Sequence, residues 1–232
     1  MVAVNILYND IKSLLFPKIC YACDSILTAY EIGLCTKCRH ELPETNYHLY
    51  NNNPVEKMFY GRVPIEFAAA FLHFSKQNLT QKLIHHLKYK NTPQISSFLG
   101  EWYINRLESH DMLRSVDMVI PVPMHSKKFK KRGYNQVHGF AKAIASKTNI
   151  TLRQDILFKE NNNTSQTFKT RLARWSENNA EFAVNEKLDI QNKHFLLVDD
   201  VITTGATLEN CAKQLLKYPN CKVSILVMAI TS

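Results

Sequence analysis

The chain has 232 residues, 45% of them apolar and 21% charged, and a formal net charge of +9. Its length fits one α/β domain with a small appendage, and its apolar content is ordinary for a soluble globular protein. No apolar run approaches the ~20 residues that cross a bilayer as a helix, which argues against membrane insertion. The positive charge favours polyanionic partners (nucleic acid, a pyrophosphate or an acidic protein) without choosing among them.

In chain order, residues Asn5 to Leu15 space their apolar side chains for a short amphipathic helix. The N-terminus lacks a basic start and a small-residue cleavage site, so it does not read as a signal peptide, and a cytoplasmic location is expected. Cys20, Cys23, Cys35 and Cys38 follow in the spacing C-x2-C-x11-C-x2-C. Each pair presents two thiolates from one tight turn, and four thiolates suit one tetrahedral zinc ion. Two disulfides would not persist in a reducing cytoplasm. Four thiolates leave no open position for a substrate or water, so the zinc is expected to be structural, in a module from Phe16 to Leu42. Free buried thiols are the alternative.

Pro43 to Pro64, rich in Asn, Pro and Tyr, reads as a connector. Phe67 to Phe74 suits a strand, Leu79 to Leu87 a helix ended by Leu87-Lys88-Tyr89-Lys90-Asn91, and Pro93 to Leu107 a second helix. The α/β core is expected to begin at Val116, with a short strand to Val122. A basic loop, His125 to Arg132, carries Lys127, Lys128, Lys130, Lys131 and Arg132. A helix from Gln136 to Lys147 and a short strand from Asp155 to Phe158 follow. Lys159 to Glu181 is polar and rich in asparagine. Phe195 to Val198 suits a buried strand, Leu208 to Lys217 a helix, and Lys222 to Ile230 a final strand. Strands alternating with helices predict a mostly parallel sheet. Cys211 and Cys221 read as ordinary buried thiols.

The most informative stretch is His194 to Leu208, HFLLVDDVITTGATL. Its apolar run suits a strand buried on both faces. The run ends in Asp199 and Asp200, then Val201 and Ile202, then the small turn Thr203, Thr204, Gly205, Ala206 and Thr207. Ligands of open α/β sheets bind beyond the carboxyl ends of strands. The first N–H groups of the following helix lack partners, and its dipole adds partial positive charge. Gly205 allows close backbone approach, and the threonine hydroxyls can donate to phosphate or cap the helix. One end of the ligand should therefore be a phosphate monoester, the other hydroxyls or a metal facing the acids. A ribose 5-phosphate meets both demands. A lone acid pair or a lone T-T-G would read as a strand end and a helix cap; their combination is more specific. The basic loop also leaves the carboxyl end of a strand, so it reads either as a pyrophosphate site or as a solvated charge run.

From Leu196 to Leu208 the chain closely resembles the phosphoribosyl pyrophosphate (PRPP) motif of type I phosphoribosyltransferases. By that resemblance Asp199 and Asp200 contact the ribose 2- and 3-hydroxyls, and Thr203 to Thr207 cradle the 5-phosphate. Together with the cysteine module, the segment R-G-Y-N-Q (Arg132 to Gln136) and the stretch Thr164 to Phe182, the whole chain resembles the competence protein F family. The resemblance implies an α/β fold: a type I phosphoribosyltransferase-like parallel sheet flanked by helices, with an N-terminal zinc module and hood. It divides the chain into residues 1–42 (helix and zinc module), 43–115 (connector and hood) and 116–232 (α/β core). It also makes Lys159 to Glu181 a lid over PRPP, a role its polar composition fits.

Three functions follow as expectations. The first is an enzyme: magnesium-bound PRPP loses pyrophosphate as an amine or nucleobase attacks C1 of the ribose. Lys128, Lys131 and Arg132 would take the pyrophosphate, and Arg171 and Arg174 would reach in from the lid. The second, since family members are associated with DNA uptake in natural transformation, is a competence accessory protein that binds single-stranded DNA without turnover. The third is an interaction module whose zinc segment docks a protein of the competence machinery.

Overall fold

The computed structural model describes residues 16–107, 111–159 and 182–231. The expected helix at Asn5 to Leu15 and most of the proposed lid, including Arg171 and Arg174, lie outside the described residues.

Five parallel strands form the central sheet: β1 (Ala68–Phe74), β2 (Met118–Pro121), β3 (Thr151–Leu152), β6 (His194–Ile202) and β7 (Lys222–Thr231). Their spatial order is β1-β7-β6-β2-β3. Two further strands, β4 (Leu157–Lys159) and β5 (Phe182–Val184), pair antiparallel in a separate ribbon. The parallel sheet flanked by helices is the expected fold.

The apolar run of β6 is buried throughout, and its side chains alternate between two cores. Leu196 and Val198 face a layer with Leu99, Tyr103, Phe140 and Ile144. Those side chains come from α4 (Gln94–Leu107) and α6 (His138–Thr148). Phe195 and Leu197 face the other core, filled by Leu208, Cys211, Ala212 and Leu215 of α7 (Ala206–Leu215). Spacings of three and four place those four residues on one helical face. Helices α4 and α6 approach closely: a Cβ at Gly100 would lie 2.8 Å from the Phe140 carbonyl oxygen.

The first core extends into the cysteine segment. Cys20, Leu34, Cys38 and Leu42 are buried in it, next to the short helix α1 (Thr36–Glu41). A second short helix, α2 (Pro54–Lys57), starts at Asn53, whose side chain accepts from the Val55 and Glu56 N–H groups. Helix α3 (Leu79–Tyr89) buries Leu83, Ile84 and Leu87 and is capped by Asn78, which accepts from the Gln81 N–H.

Three expectations are corrected. The sheet does not begin at Val116: β1 lies in the supposed connector and hood, yet pairs with β7 from Ala68↔Ile225 to Phe74↔Thr231. The boundary at residue 116 therefore cuts through the sheet. The basic stretch is not a loop but a helix, α5 (Ser126–Arg132), because the His125 side chain caps it by accepting from the Lys127 N–H and Gly133 closes it at φ 77°. Its run of lysines is compatible with a helix, and three basic residues sit in its last turn, where the dipole favours them. The strand expected at Asp155 to Phe158 lies at Leu157–Lys159 and pairs in the antiparallel ribbon. Cys211 is buried as expected, whereas Cys221 is only half-buried and donates to the Ile190 carbonyl at 3.0 Å.

Candidate functional site

Strand β6 sets the geometry. Its pairing with β2 ends at Pro121↔Val198, while its pairing with β7 continues through Asp199↔Val227 to Ile202↔Ile230. Asp199 and Asp200 therefore project past the end of β2, in the crevice where open α/β sheets bind ligands. Both are half-buried. The Asp200 N–H donates to Asp199 Oδ1 at 2.8 Å, and the Val201 N–H to Asp200 Oδ1 at 2.7 Å. Burial, and then the charge of Asp200, push the Asp199 carboxyl up to about 7, against the pull of Lys88 and Lys159. Lys88 Nζ, from the last turn of α3, lies 2.8 Å from Asp200 Oδ2.

Beyond the buried Ile202 the chain turns through Thr203, Thr204 and Gly205 into α7. Gly205 is the N-cap, at φ 75°, in the left-handed region that favours glycine. It is buried, while Thr203, Thr204, Ala206 and Thr207 are exposed around it. Gly205 supplies no side-chain cap to the first N–H groups of α7. The Ala206 N–H reaches Thr204 Oγ1 only at 3.4 Å.

Arg62 braces this turn from behind. It donates to the Thr204 carbonyl at 2.8 Å, to the Met58 carbonyl at 2.9 Å and through Nε to Glu209 Oε2 at 2.8 Å. A Cβ at Gly205 would stand 3.4 Å from the Phe59 ring. Lys213 and Arg62 together hold the Glu209 carboxyl below the ordinary carboxylate range.

The basic residues on α5 separate into two kinds. Lys128 and Lys131 are exposed. Arg132 is half-buried, donates to Gln136 Oε1 at 2.9 Å and places its guanidinium 5.6 Å above the Tyr89 ring. Of the three, Arg132 is thus tied to the end of α3 that carries Lys88. The R-G-Y-N-Q segment braces the same corner: Tyr134 donates to the Leu87 carbonyl, and Asn135 to the Val122 carbonyl at 3.1 Å. A cavity of about 390 Å³ opens beyond β2, lined by Pro121, Pro123, Ser126, Lys130, Asn135 and Lys159, among others. That volume suits a small-molecule ligand. Lys159 sits where the ribbon closes, paired with Phe182.

The four cysteine sulfurs lie within 4.8 Å of one another, with Cys23 Sγ and Cys35 Sγ 3.7 Å apart. Two backbone N–H groups point at sulfur, Cys35 to Cys20 Sγ at 3.4 Å and Cys38 to Cys35 Sγ at 3.5 Å. Hydrogen bonds from Ser25 hold the Cys23 thiol down to about 6, whereas burial pushes Cys20 and Cys38 up. Thiolates packed this closely repel one another, and a dication bound among them would offset that repulsion. The cluster is compatible with structural zinc.

Sequence reasoning missed Arg62 and Lys88 as site residues. Arg62 lies in a stretch read as a connector. Lys88 falls in the stretch Leu87 to Asn91 that reads only as the end of a helix.

Comparison with known proteins places this geometry among relatives. Residues 100–231 match the model of the phosphoribosyl transferase domain. The chain is 23% identical over 230 residues to the DNA utilization protein YhgH of Escherichia coli K12, covering 93% of this chain and 98% of that one. It is 27% identical over 139 residues to competence protein F of Haemophilus influenzae, covering 58% and 61%. Among solved structures, the UMP synthase of Leishmania donovani aligns at 14% identity and a TM-score of 0.35, covering 75% of this chain and 30% of that one.

Proposed function

Since the chain belongs to the phosphoribosyl transferase domain family, we propose that it binds PRPP with magnesium in the crevice beyond β2 and β6. The observation that carries this reading is the acid pair of β6 followed by the Gly205-capped entry to α7, both at one sheet edge. Asp199 and Asp200 would accept from the ribose hydroxyls. The first N–H groups of α7 and the Thr203, Thr204 and Thr207 hydroxyls would hold the 5-phosphate. Arg132, with Lys128 and Lys131 on the outer face of α5, would attract the pyrophosphate, and Arg171 and Arg174 would reach it from the lid.

Carboxylate and phosphate oxygens are the hard donors magnesium takes, so the acid pair fits the ion. When bound, magnesium would neutralise charge on the departing pyrophosphate. In a transfer step an amine or nucleobase donates its electron pair to C1, the C1–O bond breaks, and pyrophosphate leaves with the bonding electrons. The protein's own contribution is to position the ribose and to supply positive charge around the leaving group. The four cysteines would hold one structural zinc ion in the N-terminal hood.

Calorimetry with PRPP and magnesium tests the reading. Micromolar-range binding by the wild type, with an affinity loss of about a hundredfold or more in Asp199→Ala/Asp200→Ala, is expected from the loss of two charged acceptors. No binding by the wild type, or binding indifferent to the double substitution, rejects it.

A second reading concerns DNA. Tyr89 is 66% exposed, with the guanidinium of Arg132, the last residue of the lysine-rich α5, over its ring. Base stacking on such a platform would serve single-stranded DNA, in line with the names of the relatives, and would link the protein to DNA uptake. Gel shifts with a single-stranded oligonucleotide across a salt series should show affinity falling as salt rises, and falling again in Tyr89→Ala. Absent binding, or a flat salt response, removes this reading.

A further inference from the structure

Lys88 enters the site from outside the stretch that matches the family model. It belongs to α3, an element whose position is fixed by three separate neighbours. The buried face of Leu83, Ile84 and Leu87 packs into the first core. In its last turn, His86 Nδ1 donates to the Tyr21 carbonyl at 2.9 Å, so the helix is tied to the residue next to Cys20. In the same turn, Tyr134 donates to the Leu87 carbonyl and Arg132 covers Tyr89. Lys88 lies between these two anchors, and its side chain, 25% exposed, meets Asp200 at 2.8 Å.

We propose that Lys88 is a ligand-binding residue of this site, delivered by a helix that the cysteine module and the R-G-Y-N-Q segment hold in register. The inference rests on the PRPP reading above. The reason is charge. Two adjacent carboxylates must share a crevice with a ligand that carries a phosphate at one end and a pyrophosphate at the other. Left alone, the acids would repel it. In the free protein Lys88 offsets the Asp200 carboxylate directly, while burial already disfavours charge on Asp199. In the complex, as the ribose hydroxyls donate to the carboxylates, its ammonium stays within the same few ångströms and can donate to a phosphate oxygen. A surface lysine elsewhere on the chain is screened by salt; this one acts from a partly desolvated position, where attraction is stronger. The position in the last turn of α3 also suits a cation, because the helix dipole is negative there.

The test is calorimetric titration of the full, zinc-loaded chain with PRPP and magnesium, comparing the wild type, Lys88→Met and Lys88→Arg, with circular dichroism to confirm the fold. Lys88→Met should weaken binding about tenfold or more, Lys88→Arg distinctly less, and the salt dependence of affinity should be shallower in Lys88→Met than in the wild type. Unchanged or tighter binding by Lys88→Met would mean that the lysine only fills the empty crevice, and would overturn the inference while leaving the PRPP reading intact. A wild type that does not bind overturns both. Should Lys88→Met fail to fold, Lys88→Gln is read by the same criteria, and wild-type affinity in either variant is likewise decisive against the proposal.

Discussion

Exchanging Cys20 for serine is expected to release one zinc equivalent per chain and to lower stability by about 4 kcal/mol or more. The size follows from where the residue sits. Cys20 is fully buried in the same core as Phe71, Leu99 and Tyr103, and its sulfur accepts from the Cys35 N–H. A serine there leaves three sulfurs for the ion and puts a hydroxyl where a polarisable sulfur stood. The damage should spread beyond the module, because Tyr21 anchors His86 and so fixes α3. Metal analysis of the purified protein and urea unfolding with and without a chelator are the measurements. A wild type that carries no zinc, and whose unfolding ignores the chelator, would refute the metal assignment outright.

The second large effect is on pH. The Asp199 carboxyl is pushed up to about 7, first by burial and then by Asp200, from a reference of 3.8. An acid whose pKa is raised by folding contributes stability when protonated in both states and loses it as it must ionise in the fold. The contribution is thus full below about pH 4 and is lost as pH rises through about 7. The difference between the two limits is at most about 4 kcal/mol, and solvent reaching the half-buried group reduces it. Asp199→Asn keeps an oxygen for the Asp200 N–H but cannot ionise. The variant should be more stable than the wild type at pH 8, with the gap closing towards pH 4, in urea titrations across that range. Equal pH profiles for the two proteins would mean that Asp199 is not held neutral by its surroundings. Magnesium at the acid pair should narrow the gap by favouring the charged form.

What could be read from the residues divides along a physical line. The strand, acid pair and turn of Phe195 to Thr207 were legible because burial periodicity, acid placement and the glycine all fall within one short window. The paired cysteines were legible for the same reason, as was the N-terminal part of α3. What escaped depends on contacts distant in sequence. Nothing near Ala68 says that its neighbour will be Ile225, so the sheet was started too late. Nothing near Arg62 says that its guanidinium will hold Thr204 and Glu209. The basic stretch hides its helix for a local reason: a histidine cap and a glycine stop enclose a helix too short to show clear periodicity, and charge is its dominant feature.

The position of β1 bears on how the protein acquires its shape. Within the sheet β1 has one neighbour, β7; apart from it, the β1 backbone is met by the short segment around Glu44 and by the Asn53 side chain. During synthesis the run Ala68 to Phe74 emerges long before the strand it must pair with. An apolar segment with open hydrogen-bonding edges is then exposed while the rest of the chain is made. Folding that depends on so distant a pairing is slow, and the waiting intermediate is prone to associate with other chains. A chaperone that shields β1 until β7 arrives is therefore expected to raise the yield of soluble protein.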